Sequence, residues 1–83
     1  MMSKFFTDSR NHTSFSLEHV VKFDKSVTIT GIQPKFRILP NIEVTLITDG
    51  IEVETRILFY EGEEELRNAE FIRLRNELND WFR

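Results

Sequence analysis

Two histidines and three nearby carboxylates are the side chains in this sequence with the best potential to bind a metal ion. His12 and His19 would supply imidazole nitrogens, and Asp8, Glu18 and Asp24 would supply oxygens. The two histidines do not stand at a recognised metal-ligand spacing, and the chain has no cysteine. His19 also falls on the apolar side of a strand-like pattern, where a packed imidazole is the commoner role. The sequence therefore predicts neither a metal ion nor another cofactor.

Other catalytic arrangements also lack their components. Serines and threonines are numerous, but none stands in a nucleophile elbow, and neither histidine is placed to orient a triad. The glycines at 31, 50 and 62 stand alone and form no phosphate-binding loop. The carboxylates at 61–65 lie in a solvated setting that would not raise a pKa for acid–base catalysis. We therefore expect no enzymatic activity and no small-molecule substrate; a hydrolase or metalloenzyme is the weakest hypothesis.

Acidic side chains are concentrated in the second half of the chain. Residues 41–83 carry eleven acidic and five basic side chains, whereas residues 1–40 carry three acidic and six basic ones. An acidic face of this kind either keeps a small protein soluble or docks on a basic groove of a partner. The residues predicted to form it are Glu43, Glu52, Glu54, Glu61, Glu63, Glu64 and Glu65.

Several apolar side chains fall outside the positions that should face a core. If they formed one exposed patch, it would mark an interface with another protein or with a second copy of the chain. The candidates are Ile47, Leu58, Tyr60, Ala69 and Ile72.

A group of basic residues with one aromatic side chain gives the alternative function. Single-strand nucleic-acid binders combine cations with aromatic rings in this way. The net charge of −3 works against affinity for phosphate, so nucleic acid is the second choice of partner. The residues concerned are Lys22, Lys25, Lys35, Phe36 and Arg37.

The C-terminal stretch is predicted to form an amphipathic helix at about 63–82. Glutamates at 63–65 load its first turn, where the helix dipole favours negative charge. Apolar residues recur at helical spacing and should face the core. They are Phe71, Leu74, Leu78, Trp81 and Phe82.

A β-hairpin with strands at about 42–48 and 51–60 is predicted before this helix. Asp49-Gly50 is a two-residue turn that requires positive φ angles. The turn sets the register, and a slip by one residue would expose the apolar row. The expected pairs are Thr48 with Ile51, Leu46 with Val53, Val44 with Thr55, Ile42 with Ile57, and Glu43 with Arg56.

The first half of the chain predicts three shorter strands. Residues 15–23 alternate apolar and polar side chains, Asp24-Lys25 is a plausible turn, and residues 26–31 favour a second strand. Pro34 and Pro40 bracket a predicted strand at 35–39, which we expect at a sheet edge. Residues 1–14 show no period and are expected to be a flexible arm.

Together these elements predict one α+β domain at 15–83, with a four- to five-stranded antiparallel sheet packed by the C-terminal helix. A small curled barrel plugged by the helix is the alternative. The core should contain the five apolar residues of the predicted helix, which we call the helix stripe, and the inward-facing residues of the strands. These strand residues are Phe15, Leu17, Val21, Phe23, Ile42, Leu46, Val53, Ile57 and Phe59.

The chain has 83 residues, 40% of them apolar and 30% charged, which is typical of ordinary globular proteins. It contains neither a signal peptide nor a membrane-spanning stretch, so we expect a cytoplasmic protein. The TDG-type turn and glutamate-led helix of Thr48–Phe82 resemble short phage and prophage accessory proteins, without a motif that identifies site residues. The predicted function is a small non-enzymatic interaction module, an acidic accessory or inhibitor protein that binds another protein or itself.

Overall fold

The computed structural model describes residues 4–10 and 12–82, which form two antiparallel sheets and one long helix. In chain order the elements are β1 (Phe5–Thr7), β2 (Ser14–Ser16), a 3-10 turn (Leu17–His19), β3 (Val20–Ile32), β4 (Lys35–Thr48), β5 (Ile51–Leu58) and α1 (Glu64–Trp81). Strands β1 and β2 pair with each other, and the main sheet has the order β3–β4–β5. The predicted α+β class is confirmed, but the main sheet of the described residues has three strands in place of four or five.

The hairpin of β4 and β5 has the predicted register throughout. Leu46 pairs with Val53 and Ile42 with Ile57, and the Arg56 guanidinium lies 3.6 Å from the Glu43 carboxylate. At the turn, Asp49 has a φ of 54° and Gly50 a φ of 76°. Both central residues are thus left-handed, as a tight hairpin turn requires. The two-residue turn and the alternating pattern were enough to predict this hairpin.

Strands β3 and β4 are longer than the sequence predicted. The expected turn at Asp24-Lys25 lies inside β3, and the strands predicted at 35–39 and 42–48 are one strand. Pro40 does not break β4, because its neighbour on the β5 side, Phe59, lies after the last residue of β5. Its carbonyl oxygen accepts the Phe59 N–H at 3.1 Å, so its nitrogen also points toward this side of the strand. Because proline has no N–H to donate, at most one backbone hydrogen bond between β4 and its neighbour is lost.

The predicted strand at 15–23 is wrong, because the chain turns after Ser16. Leu17–His19 form a 3-10 turn, and the register shifts between Val20 and Lys22. Both irregularities change which residues face inward. Val20 is consequently buried, whereas Val21, predicted to be in the core, is exposed.

The two faces of the main sheet have different environments. We call the face that carries Phe23, Ile42 and Val44 the inner face, because α1 packs on it. The other side, which carries Asp24 and Glu43, is the outer face. The β1–β2 hairpin joins α1 in closing the core.

The core differs from the predicted one at several positions. Leu74 and Leu78 of the helix stripe are buried, Phe71 and Trp81 are partly buried, and Phe82 beyond the helix end is exposed. Val53, near the hairpin turn, is also exposed. The buried apolar residues of the described chain are Phe6, Phe15, Leu17, Val20, Ile42, Val44, Ile57, Phe59, Leu74 and Leu78.

The flexible arm predicted for residues 1–14 is wrong where the structure describes it. Phe6 has 0% exposure, and its ring lies 5.4 Å from the ring of Phe15 across the β1–β2 pair. Residues 1–3 and 11 lie outside the described part of the chain. The buried ring of Phe6 therefore attaches this segment to the core.

Beyond the edge of β5, strands β3 and β4 continue as a two-stranded ribbon. β5 pairs with β4 only from Asn41 to Thr48, so residues 27–32 and 35–40 pair with each other alone, apart from the hydrogen bond of Pro40 with Phe59. The molecule consequently measures 51 × 27 × 19 Å. We call residues 27–40 the ribbon; its tip lies at Gln33-Pro34 and its root at Ser26 and Asn41.

Candidate interaction surfaces

One face of the ribbon is apolar and, beyond the buried Pro40 near its root, open to solvent. The register pairs Ile29 with Ile38 and Gly31 with Phe36, and it places Val27 on the same face. The four side chains Val27, Ile29, Phe36 and Ile38 are 49%, 65%, 54% and 56% exposed. We call these four residues the apolar strip.

The apolar strip is a continuation of the inner face of the sheet. Alternation along β3 places Phe23, Lys25, Val27 and Ile29 on one side. The ring of Phe71 in α1 lies 5.1 Å from the ring of Phe23, and the Lys25 ammonium lies 5.4 Å from the same Phe71 ring. The helix thus covers this face up to Lys25, and the apolar strip begins at the next residue on the same face, Val27.

Arg67 marks the end of the covered region. Its Nη1 donates to the carbonyl oxygen of Ser26 at 2.7 Å and to that of Asn41 at 3.4 Å. These two residues pair with each other at the root of the ribbon. The first turns of α1 therefore stand at the root, on the same side as the apolar strip.

The opposite face of the ribbon is mixed and carries two cations. Thr28, Thr30, Lys35 and Arg37 project from it by register, together with the apolar side chains of Ile32 and Leu39. The sequence has no acidic side chain from Lys25 to Asn41. The ribbon is therefore a positively charged arm on a protein whose net charge is −3.

Gly31 shapes the tip of the ribbon. Its φ is 110°, and a Cβ added there would collide with the carbonyl oxygen of Lys35. Only glycine combines this backbone angle with so close an approach of the paired strand.

The predicted acidic residues lie on two separate surfaces. Glu43, Glu52 and Glu54 project from the outer face of β4 and β5, whereas residues 61–65 lead into α1, which packs on the inner face. Arg56 lies 3.6 Å from Glu43 and 3.4 Å from Glu54, so part of the outer group is neutralised locally.

Glu63 also has an internal partner. Its carboxylate accepts a hydrogen bond from Arg10 at 2.6 Å and one from the Tyr60 backbone N–H at 2.7 Å. The hydrogen bond from Arg10 holds the pKa of Glu63 below its usual range, and the Tyr60 N–H acts in the same direction. Glu61, Glu64 and Glu65 are exposed.

The predicted apolar interface residues are all exposed, but they do not form one patch. Ile47 and Leu58 project from opposite ends of the outer face, near the two ends of the β4–β5 pairing. Leu58, Leu66 and Ala69 line one groove of about 200 Å³. Tyr60 lies under the Arg10 guanidinium at 5.2 Å, and Ile72 is on α1.

The predicted basic and aromatic set is divided between the two faces of the sheet. Lys35 and Arg37 project from the outer face, while Phe36 belongs to the apolar strip. Lys22 lies 3.8 Å from Asp24, and Lys25 lies over Phe71. Lys25 shares the inner face with Phe36, but its ammonium lies against Phe71, so these residues do not form a stacking platform of cations around Phe36.

The histidines are engaged in local contacts. The backbone N–H of His12 donates to Asp8 at 2.8 Å, and His19 lies 3.8 Å from Glu18. Residues 4–10 and 12–82 contain no group of three or more metal-ligand side chains.

A polar cluster that the sequence analysis missed joins the β1–β2 loop to the helix. The Glu70 carboxylate is buried, and it accepts hydrogen bonds from the Ser9 backbone N–H at 3.1 Å, from the Ser9 hydroxyl, and from Arg73 at 2.5 Å. Burial works to raise the pKa of Glu70, but the hydrogen bonds from Ser9 and Arg73 outweigh it and lower the pKa. The arrangement is a clamp between two elements.

The pattern Asp8-Ser9-Arg10 was the available signal for this clamp. Asp8 accepts the backbone N–H groups of Arg10 and His12, a local turn that aspartate commonly forms. The distance in sequence to Glu70 made the partner of the turn unpredictable.

Comparison with known proteins provides no further guidance: no family model, no curated protein and no solved structure matches this chain. Within the described residues, no helix combines the length and the apolar character that crossing a membrane requires.

Proposed function

We propose that this protein is a small non-enzymatic interaction module that docks on another protein chain through the apolar strip. The observation that carries the proposal is the exposure of Val27, Ile29, Phe36 and Ile38 on a face whose other half is covered by α1. A sheet with an apolar face is stable when a second layer covers it, and here one layer ends halfway along the sheet. A contiguous apolar face left open marks a site for a partner.

The free energy available from covering the strip is substantial but limited. Full burial of one such side chain contributes about 1.5–3 kcal/mol, so four half-exposed ones would contribute about 3–6 kcal/mol. Association itself costs about 4–15 kcal/mol in lost translational and rotational freedom. The strip therefore serves as the centre of an interface whose other contacts must come from neighbouring surfaces.

The acidic residues have a supporting role in this proposal. Glu43, Glu54 and Glu63 have arginine partners within the chain, which reduces the charge they offer to a basic groove. The remaining exposed carboxylates favour solubility and the steering of a basic partner. A cytoplasmic accessory or inhibitor role of the phage or prophage type is the biological form that we propose.

Site-specific photo-crosslinking tests the proposal in the cell that makes the protein. A photoreactive amino acid in place of Ile29 should cross-link to a polypeptide, because position 29 lies on the strip. The matched control is position 30, where the side chain of Thr30 lies on the opposite face of the same strand. Equal or absent cross-linking at the two positions would show that the strip is not a docking surface.

Nucleic-acid binding is the second candidate, and the acid-free ribbon is the observation that favours it. Lys35 and Arg37 lie on an arm two strands wide, a shape that the major groove of DNA admits. The decisive experiment is a salt titration against single- and double-stranded oligonucleotides, since phosphate contacts weaken steeply as salt rises. An affinity that does not depend on salt, or no binding at low salt, removes this candidate.

A further inference from the structure

We infer that the apolar strip packs against the same strip of a second copy of this chain, with the two ribbons antiparallel about a two-fold axis. The inference rests on the proposed function, because it names the partner that covers the strip. The side-chain order along the strip, the position of α1 and the distribution of charge each support it.

The strip is complementary to itself in the antiparallel sense. From root to tip it runs from Val27 through the paired Ile29 and Ile38 to Phe36, which lies opposite Gly31. Antiparallel packing lays the large ring of Phe36 over the smaller Val27 of the other copy, and the isoleucines of both copies meet at the axis. The two strips then cover each other completely. No strip remains free for a third copy, so association stops at a dimer.

Helix α1 stands where the tip of a second ribbon would arrive. Its Arg67 contacts the ribbon root at Ser26, while Phe71, one turn later, lies against Phe23. The helix thus runs along β3 with its N-terminus directed toward the ribbon. A second ribbon that lies on the strip occupies the same layer as α1, and its tip meets the first turn of the helix.

Charge distinguishes the antiparallel arrangement from the parallel one. Lys35 and Arg37 lie near the tip, and the ribbon contains no acidic side chain. Glu64 and Glu65 are exposed in the first turn of α1, at the root. Antiparallel ribbons bring each basic tip to an acidic root, whereas parallel ribbons would bring the two basic tips together. Opposite charges at matching positions steer association and fix its register.

The size of the ribbon indicates a weak dimer. Residues 27–32 span about 20 Å at about 3.3 Å per residue, so the strip is smaller than the roughly 800 Å² per partner of a standard interface. The contact between tip and helix occurs twice in a symmetric dimer and adds area at both ends. We expect a dissociation constant on the order of micromolar, the weak end of specific association.

Sedimentation equilibrium of the full chain measures this dimer directly. The mass should rise from 9.9 kDa toward twice that value as concentration increases. Ile29→Lys should raise the dissociation constant at least tenfold, because a charge enters the centre of the apolar contact. Thr30→Gln, an uncharged change on the opposite face of the same strand, should leave the dissociation constant unchanged. Circular dichroism checks that both variants keep the fold, as expected for exposed positions.

Charge exchange tests the antiparallel orientation. Arg37→Glu and Glu64→Arg should each weaken the dimer several-fold, and the double variant should recover the affinity of the natural chain. If the double variant did not regain the dimer affinity of the natural chain, the proposed contact between the ribbon tip of one copy and α1 of the other would be overturned.

Cross-linking measures the same orientation independently of charge. The natural chain has no cysteine, so single cysteines can be placed cleanly. Packed sheets lie about 10 Å apart, too far for a disulfide, so a short bismaleimide is the suitable reagent. A mixture of Val27→Cys and Phe36→Cys should cross-link more strongly than Phe36→Cys alone, and the reverse result would overturn the arrangement.

The outcomes separate this inference from the function on which it rests. A chain that stays monomeric up to about millimolar concentration, where weak specific complexes form, refutes the dimer. If photo-crosslinking at position 29 then traps a different protein, the interaction function stands with another partner. A dimer that Ile29→Lys leaves intact also refutes the inference, since it must use another surface. Binding of oligonucleotides by the ribbon in place of self-association refutes both.

Discussion

The backbone N–H of Ser9 donates to the carboxylate of Glu70 at 3.1 Å, although 61 positions separate the two residues in the chain. Arg73 lies on the other side of the carboxylate, and its Nη2 also donates to the carbonyl oxygen of Thr7 at 2.7 Å. The β1–β2 loop is thereby fastened to α1 by charge-assisted hydrogen bonds. Such bonds are stronger than neutral ones when their geometry is good.

This clamp predicts a loss of stability in acid. The pKa of Glu70 is lowered in the folded protein, since the hydrogen bonds from Ser9 and Arg73 outweigh the effect of burial. A folded-state pKa below the unfolded one contributes stability that is present above the unfolded pKa of glutamate. That stability is lost as pH falls through the lowered folded pKa. Urea denaturation from neutral to acidic pH should show it as a falling free energy of unfolding.

Glu70→Gln isolates the contribution of this one carboxylate. The variant should lose about 1.5–3 kcal/mol at neutral pH, the usual contribution of a hydrogen bond to a charged group. Its free energy of unfolding should also fall less between neutral and acidic pH than that of the natural chain. Glu65→Gln, at an exposed helix position, is the control and should retain the full dependence. Parallel pH curves for Glu70→Gln and the natural chain would contradict the assignment.

Phe6 should be a major contributor to stability. The side chain has 0% exposure and stacks on Phe15, so Phe6→Ala is expected to lower the free energy of unfolding by about 3–5 kcal/mol. Phe5, its exposed neighbour, supplies the matched control: Phe5→Ala should change the value by about 0.5 kcal/mol or less. If guanidinium denaturation showed a loss for Phe6→Ala as small as that for Phe5→Ala, β1 would not be part of the core.

The accuracy of the sequence predictions depended on the range of the interactions involved. Asp49-Gly50 determines a turn by itself, and the register of β4 and β5 follows from it together with the alternating pattern. The helix at Glu64–Trp81 was likewise predicted within one residue at each end, because its apolar period is local.

The incorrect predictions concern residues whose environment is set by distant parts of the chain. Phe6 lies in a segment without periodicity, and only its packing on Phe15 and α1 makes it a strand residue. Asp24-Lys25 has the composition of a turn, but pairing with β4 keeps the strand extended through it. The ribbon was not foreseen for the same reason: its existence depends on where β5 and α1 end relative to β3.

The helix stripe gives a prediction that separates buried from exposed positions. Leu74 is fully buried, so Leu74→Ala should lower the free energy of unfolding by about 2–5 kcal/mol. Phe82 is exposed beyond the end of α1, and Phe82→Ala should cost about 0.5 kcal/mol or less. Thermal or urea denaturation distinguishes these ranges. A large loss for Phe82→Ala would show that this ring packs on the core after all.

Gly31 should be essential for the shape of the ribbon. Its φ of 110° strains any other residue, and the Cβ of an alanine would collide with the Lys35 carbonyl. Backbone strain of this kind costs about 1–3 kcal/mol, so the paired strands should separate locally near the tip of Gly31→Ala. Amide hydrogen exchange should then accelerate at residues 28–38 and stay unchanged in α1. Thr30→Ala, an exposed neighbour with an ordinary backbone, is the control, and equal exchange in the two variants would contradict the prediction.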